Sequence, residues 1–245
     1  YRADQPPIGG TTDPTPEPIT ETGDNLFSEF SGDVYKLNYQ NPELAAQMTG
    51  ILNQLANLGV DGLRVDVAYK IPPQYWQTDI PQIKQSHPDL ALIGEVYPEN
   101  EFDYTRIRQY LSAGFDGLYN KSTYELIYKA ITGQVPTSWL TANMNAIHQN
   151  FQPETDTLNQ ATGFPVNFFA NHDEAPLGNM KLNSSLGNLF PHYIRSLTAL
   201  TLFIPGIPLF YNGTLLGLDH RLAHHWEEKL PINYQESLHK IPDEI

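Results

Sequence analysis

The chain contains no cysteine. Disulfides, thiolate nucleophiles and cysteine metal clusters are therefore excluded; the compartment is not, because secreted proteins also do without cysteine. Cations are scarce: 14 Lys and Arg stand against 28 Asp and Glu in 245 residues, a net charge of −14. Such a chain shows no phosphate-neutralising surface for nucleic acid, and it is repelled by an anionic membrane. Long apolar runs are missing as well. The longest, Leu197 to Tyr211, is broken by Pro205, Gly206 and Pro208, and it suits a buried helix end followed by a strand better than a membrane span. No signal peptide is visible; the first residue is Tyr1 rather than Met, so the start is expected to be processed or missing, and localisation stays open between extracellular and cytoplasmic. With 40% hydrophobic and 17% charged residues, the chain has the composition and length of one large globular domain or a barrel.

Residues 5–25, rich in Pro, Thr and Gly without a hydrophobic period, read as an irregular loop, and their acids Asp13, Glu17, Glu21 and Asp24 as its solvated side chains. Next comes a strong helix signal. Asn41 suits the N-cap, Pro42 the first helical position and Glu43 the dipole. Leu44, Met48, Ile51, Leu52, Leu55 and Leu58 recur at helical spacing, and Gly59 can end the helix. A strand, Val60–Asp66, is expected directly after it. The same order repeats: a helix at 74–86, which Pro81 must start, kink or break, then strand 90–95; a helix near 103–112, then strand Phe115–Tyr119. A helix from Ser122, with Glu125 at capping-box spacing and Gly133 at its end, follows. Helices around 136–150 and 188–201 precede strands Val166–Ala170 and Ile207–Tyr211. Five strands alternating with helices predict an α/β fold with a parallel sheet.

Three acidic residues lie just past the apolar runs: Asp66 after Gly62-Leu63-Arg64-Val65, Glu95 after Leu90-Ala91-Leu92-Ile93-Gly94, and Asp173 after Phe168-Phe169-Ala170-Asn171-His172. If the runs are parallel strands of one barrel, their C-terminal ends meet on one face and gather the carboxyl groups. Clustered carboxyl groups suit acid–base and nucleophilic chemistry on a sugar. Taken singly, each acid also fits a helix cap or a turn; their shared order along the chain is what favours chemistry. Arg64 precedes Asp66 by two residues and so shares its strand face. An apolar setting near Ile93 and Val96 is expected to favour a protonated Glu95.

These residues resemble a known family. Gly62-Leu63-Arg64-Val65-Asp66-Val67-Ala68 is similar to the fourth-strand motif of the α-amylase family of glycoside hydrolases, and Gly94-Glu95-Val96-Tyr97 to its fifth-strand motif. Phe169-Ala170-Asn171-His172-Asp173 resembles the seventh-strand motif, and Gly206-Ile207-Pro208-Leu209-Phe210-Tyr211-Asn212-Gly213 the eighth. Asp33 and Leu37-Asn38 fall where the family often has a short acidic-and-Asn motif. The resemblance implies a (β/α)8 barrel, incomplete here at about strands 4 to 8, with residues 1–32 a remnant of the insertion after the third strand and 33–245 the C-terminal part of the barrel. It implies Asp66 as catalytic nucleophile, Glu95 as general acid/base and Asp173 as transition-state stabiliser. Arg64 and His172 would bind beside them, with Tyr69 and Lys70 as substrate contacts. The implied activity is retaining hydrolysis of α-glucosidic bonds in starch, glycogen or maltodextrins. The implied partner is an α-glucan, with no nucleic acid and no membrane.

The departures set further expectations. With strands one to three missing, the chain alone is expected to be inactive. No cofactor is required; calcium is known in the family, but Tyr69-Lys70 stands where many members have Lys-His, so its usual site is not supported. Thr214 replaces a frequent Glu, and the usual C-terminal β-sandwich is missing. His220, His224, His225 and Glu228 imitate a metal site and read better as a solvated helix face. Tyr97 and Trp76 are further candidates for sugar contact. Transglycosylation with the same acids, a non-catalytic carbohydrate-binding relative and an inactive fragment stay open as alternatives.

Overall fold

The computed structural model describes residues 28–30, 34–35, 37–100, 103–151, 163–174 and 190–216. The N-terminal loop, Asp33 and the cluster of His220, His224, His225 and Glu228 lie outside them. The chain divides into two compact units, Tyr1–Glu95 with Ser112–Phe115, and Val96–Leu111 with Asp116–Ile245.

The first unit opens with an antiparallel pair that no sequence pattern predicted, β1 (Ser28–Phe30) with β2 (Val34–Tyr35). Helix α1 (Pro42–Asn57) starts as expected: the Asn41 side chain accepts from the backbone N–H groups of Glu43 and Leu44, and Pro42 occupies the first turn. Gly59 follows at φ +83°, ending the helix where a side chain would be strained. The apolar stripe of α1 is covered only in part. Leu44 and Ala56 are buried, whereas Ile51, Leu55 and Leu58 are exposed among the described residues.

Strands β3 (Gly62–Val65) and β4 (Ala91–Gly94) pair in parallel, with Gly62 opposite Ala91 and Arg64 opposite Ile93. A Cβ on Gly62 would come within 2.9 Å of the Ala91 carbonyl oxygen, so the close pairing there requires glycine. Helix α2 (Pro73–Ser86) runs through Pro81 without a break. The carbonyl that loses its donor belongs to exposed Gln77, which water can serve. Trp76, Ile80 and Ile83 bury the inner face of α2, and Trp76 meets Phe115 edge-on at 5.1 Å. Trp76 is thus core rather than a sugar platform, and its indole N–H donates to the Ala68 carbonyl.

The second unit carries α3 (Thr105–Ser112, whose last residue falls to the first unit), β5 (Gly117–Tyr119), α4 (Lys121–Ile131), α5 (Ser138–Gln149), β6 (Phe164–Asn167), α6 (Phe190–Phe203) and β7 (Ile207–Pro208). Strands β5, β6 and β7 pair in parallel. Helix α4 is capped by Asn120, whose side chain accepts from Thr123 N–H, and not by Ser122, which is buried inside the first turn. The reason is a buried amide pair. Asn120 Nδ2 donates to Asn167 Oδ1 at 2.8 Å while Asn167 Nδ2 donates to the Pro205 carbonyl at 3.1 Å, tying the end of β5, β6 and the turn before β7 into one network. Strand β6 begins two residues earlier than expected. Phe168, Phe169 and Ala170 lie past its end and are buried, Phe169 and Ala170 against Ile127, Ile194 and Leu197.

Candidate active site

Parallel pairing and the two-residue period decide what meets at the end of the β3–β4 pair. Arg64 and Ile93 are opposite, so Asp66 and Glu95, each two residues further on, share their face. The Arg64 guanidinium spans both acids: Nη1 pairs with Asp66 Oδ1, and Nη2 lies 3.0 Å from Glu95 Oε2. The Val67 N–H donates to the same Glu95 oxygen at 2.8 Å. Glu95 is buried and Asp66 is largely exposed.

The apolar setting expected for Glu95 is therefore corrected. Its Oε2 sits between a cation and a backbone donor, because an arginine on the neighbouring strand is long enough to reach across the register. Val67 makes that donor available by adopting φ 40° and ψ 43°, the left-handed region that a β-branched residue rarely enters. The turn then continues as a short 3₁₀ segment, Ala68–Lys70, which carries the half-buried Tyr69 and Lys70.

Four residues past the end of β6, in the second unit, Asn171 is 2% exposed and its Oδ1 accepts from the N–H groups of Asp173 and Glu174 at 2.9 and 2.6 Å. Asn171 N–H in turn donates to the Glu174 carbonyl. This closed turn presents His172 and Asp173, with His172 Nε2 3.3 Å from Asp173 Oδ2. Glu174 pairs with Lys121, whose ammonium lies 5.3 Å from the Tyr97 ring centre and 5.5 Å from that of Tyr124.

The structure thus brings Arg64, Asp66 and Glu95 together in one unit and His172 and Asp173 together in the other. Sequence reasoning misses Lys121 and Glu174. The signal for Lys121 is present, a charged residue just past an apolar run, but a cap placed at Ser122 leaves Lys121 outside the helix and conceals it. The Val67 conformation has no sequence signal.

Alternating helices and parallel strands define an α/β scaffold of the barrel class. The family profile "Alpha amylase, catalytic domain" matches residues 20–240, and the chain belongs to that family. Among relatives, it is 24% identical to alpha-amylase 3 of Dictyoglomus thermophilum over 85% of this chain and 41% of the relative. It is also 24% identical to the 4-alpha-glucanotransferase of Thermotoga neapolitana, over 79% of this chain and 38% of that one. A solved structure, the ligand-free cyclic alpha-maltosyl-(1→6)-maltose hydrolase of Arthrobacter globiformis, aligns with 91% of this chain and 48% of its own at a TM-score of 0.67 and 24% identity. The fold is that of part of a (β/α)8 barrel. The chain spans less than half the length of the relatives it matches.

Proposed function

We propose that the chain is the catalytic part of a retaining glycosidase that cleaves α-glucosidic bonds in starch, glycogen or maltodextrins. The observation that carries this reading is the Arg64 guanidinium bridging Asp66 and Glu95. One guanidinium reaching two carboxyl groups supports the short separation of a retaining pair, about 5–5.5 Å, rather than the wider gap that admits water in an inverting one.

In this reading Asp66 attacks the anomeric carbon. Arg64 on Oδ1 orients the carboxylate, and Oδ2 forms the bond to the sugar. Glu95 gives its proton to the departing glycosidic oxygen. A protonated Glu95 keeps both of its observed bonds if Oε2 serves as its carbonyl oxygen and Oε1 carries the proton. The same carboxylate then takes a proton from water as water cleaves the glycosyl–Asp66 ester. Asp173 and His172 hold sugar hydroxyls, Asp173 most strongly as positive charge builds on the ring. Tyr69 and Lys70 add contacts beside the nucleophile. No cofactor enters these steps. Calcium is not assigned to the turn after β3, where Lys70 puts a cation in place of a ligand.

The second reading is transfer of the glycosyl group to another sugar in place of water, and the match to a 4-alpha-glucanotransferase favours keeping it. Product analysis with maltotriose at high concentration separates the two. A hydrolase yields mainly shorter sugars; dominant products longer than the substrate at every concentration establish the transferase.

A further inference from the structure

Glu95 Oε2 faces two donors, Arg64 Nη2 at 3.0 Å and the Val67 N–H at 2.8 Å. They are not equivalent. Arg64 is shared with Asp66, so its hold on Glu95 changes whenever the charge on Asp66 changes. The Val67 N–H carries no formal charge, and the backbone alone sets its place. That place is strained: φ 40° and ψ 43° put a β-branched residue in the left-handed region. A residue keeps such a conformation only where its surroundings over-determine it.

The chain on both sides of Val67 is tied down. Before it, the Val65 carbonyl accepts from Glu95 N–H at 3.0 Å. After it, the Val67 carbonyl accepts from Lys70 N–H at 2.8 Å and the Ala68 carbonyl from Ile71 N–H at 3.2 Å. Those two bonds lie within the 3₁₀ turn and would travel with it if the turn swung as a body. The Trp76 indole N–H, 3.3 Å from the Ala68 carbonyl, instead ties the turn to α2. Both ends of that bond are held: Ala68 is fully buried, and Trp76 is 2% exposed and packed against Tyr75 at 5.0 Å and Phe115 at 5.1 Å.

We infer that Trp76 is a positioning residue for Glu95: by holding the Ala68 carbonyl, it keeps Val67 in the left-handed region and the Val67 N–H on Oε2. What this decides is where Glu95 carries its proton. An oxygen that accepts from two donors is the poorer place for a hydrogen, so the proton is directed to Oε1, from which it passes to the leaving oxygen. With the indole bond removed, Val67 relaxes toward negative φ, its N–H turns away, and Oε2 competes for the proton. This rests on the glycosidase reading and adds to it a buried helix residue that acts on Glu95 through the turn.

The test compares kcat/KM of the intact protein on maltotriose with that on α-maltosyl fluoride, whose fluoride departs with little help from an acid. A defect in proton delivery lowers the first far more than the second; a merely structural defect lowers both alike. Glu95→Ala calibrates the ratio of the two, which should fall by about 10²–10⁴. An unchanged ratio there overturns the glycosidase reading and this inference with it. Given that fall, Trp76→Phe, which keeps an aromatic ring in the core and lacks the indole N–H, should lower the ratio about tenfold. Replacement of Trp76 by benzothienylalanine keeps the bicyclic volume without the N–H; it should lower the ratio equally, and it serves if the phenylalanine variant does not fold. In a Val67→Gly background, where φ 40° is unstrained, Trp76→Phe should change the ratio by less than about twofold. The inference is overturned, with the glycosidase reading intact, if the indole N–H can be removed without changing the ratio. It is also overturned if that removal lowers the ratio as far in the Val67→Gly background as in the wild type.

Discussion

The end of the β3–β4 pair and the end of β6 both present charged groups, yet they hold them by different means. In the first unit a side chain does the organising: Arg64 on β3 reaches Asp66 on its own strand and Glu95 on the next, with a strained Val67 turning its N–H inward. In the second unit the backbone organises itself. Buried Asn171 closes a turn around Asp173 and Glu174 by accepting two N–H bonds, and the Lys121–Glu174 pair braces that turn from the end of β5. The first arrangement couples two acids electrostatically, so a change at Arg64 is felt by both. The second fixes one acid by local geometry, so a change at its brace reaches Asp173 only through position.

The largest expected effect breaks the first arrangement at its acids. Asp66→Asn and Glu95→Gln in the intact protein should leave the fold unchanged and abolish useful turnover, with about 10²–10⁴-fold lost from removing the Glu95 proton transfer and more from removing the nucleophile. An activated glycosyl fluoride should label Asp66 covalently, read by peptide mass spectrometry. Label on Asp173 would reverse the roles of the two units.

Arg64→Lys tests whether bridging, rather than charge alone, matters. A lysine keeps the charge but lacks the planar fork that serves two carboxyls at once. Loss of one charge-assisted hydrogen bond, worth about 1.5–3 kcal/mol, predicts kcat lower by roughly ten- to a hundredfold with folding retained. Wild-type kcat in the Arg64→Lys variant would show that the bridge is incidental.

Breaking the brace of the second unit should do less. The Lys121 and Glu174 side chains are about one-fifth exposed, and Lys121→Met or Glu174→Gln should cost no more than about 1 kcal/mol in stability. Their signature should be a few-fold rise in KM with little change in kcat. A double-mutant cycle should show the two effects to be coupled. A drop in kcat as deep as that of Arg64→Lys would erase the distinction between the two regions.

The smallest effect concerns calcium. With Lys70 beside the first site, chelation should shift Tm little, and added calcium should not raise it in a saturable way. A large, saturable rise would place a calcium site elsewhere in the protein.

Much of this architecture was legible in the residues. The alternation of helical periods with short apolar runs predicted α1 and the order of elements after it, and Asn41 and Pro42 located the start of α1 because capping is a local interaction. The two-residue strand period put Arg64 on the face of Asp66. Boundaries were less legible. The start of β6, the cap of α4 and the continuity of α2 through Pro81 depend on neighbours distant in sequence. Asn120 caps α4 while also bonding Asn167, and no local pattern records that.

By itself, the sequence determined the class of fold, the family and which acids stand at strand ends, since periodicity, capping and motif order are properties of contiguous residues. Tertiary structure alone decided that Glu95 sits against Arg64 and Val67 N–H rather than in an apolar setting, because the β3–β4 register sets which side chains on neighbouring strands can touch. It also decided that Lys121 reaches Glu174, and that Asp79 on α2 is buried. Burial and electrostatic pairing are relations between residues far apart in the chain. They come into being only when the strands and helices pack.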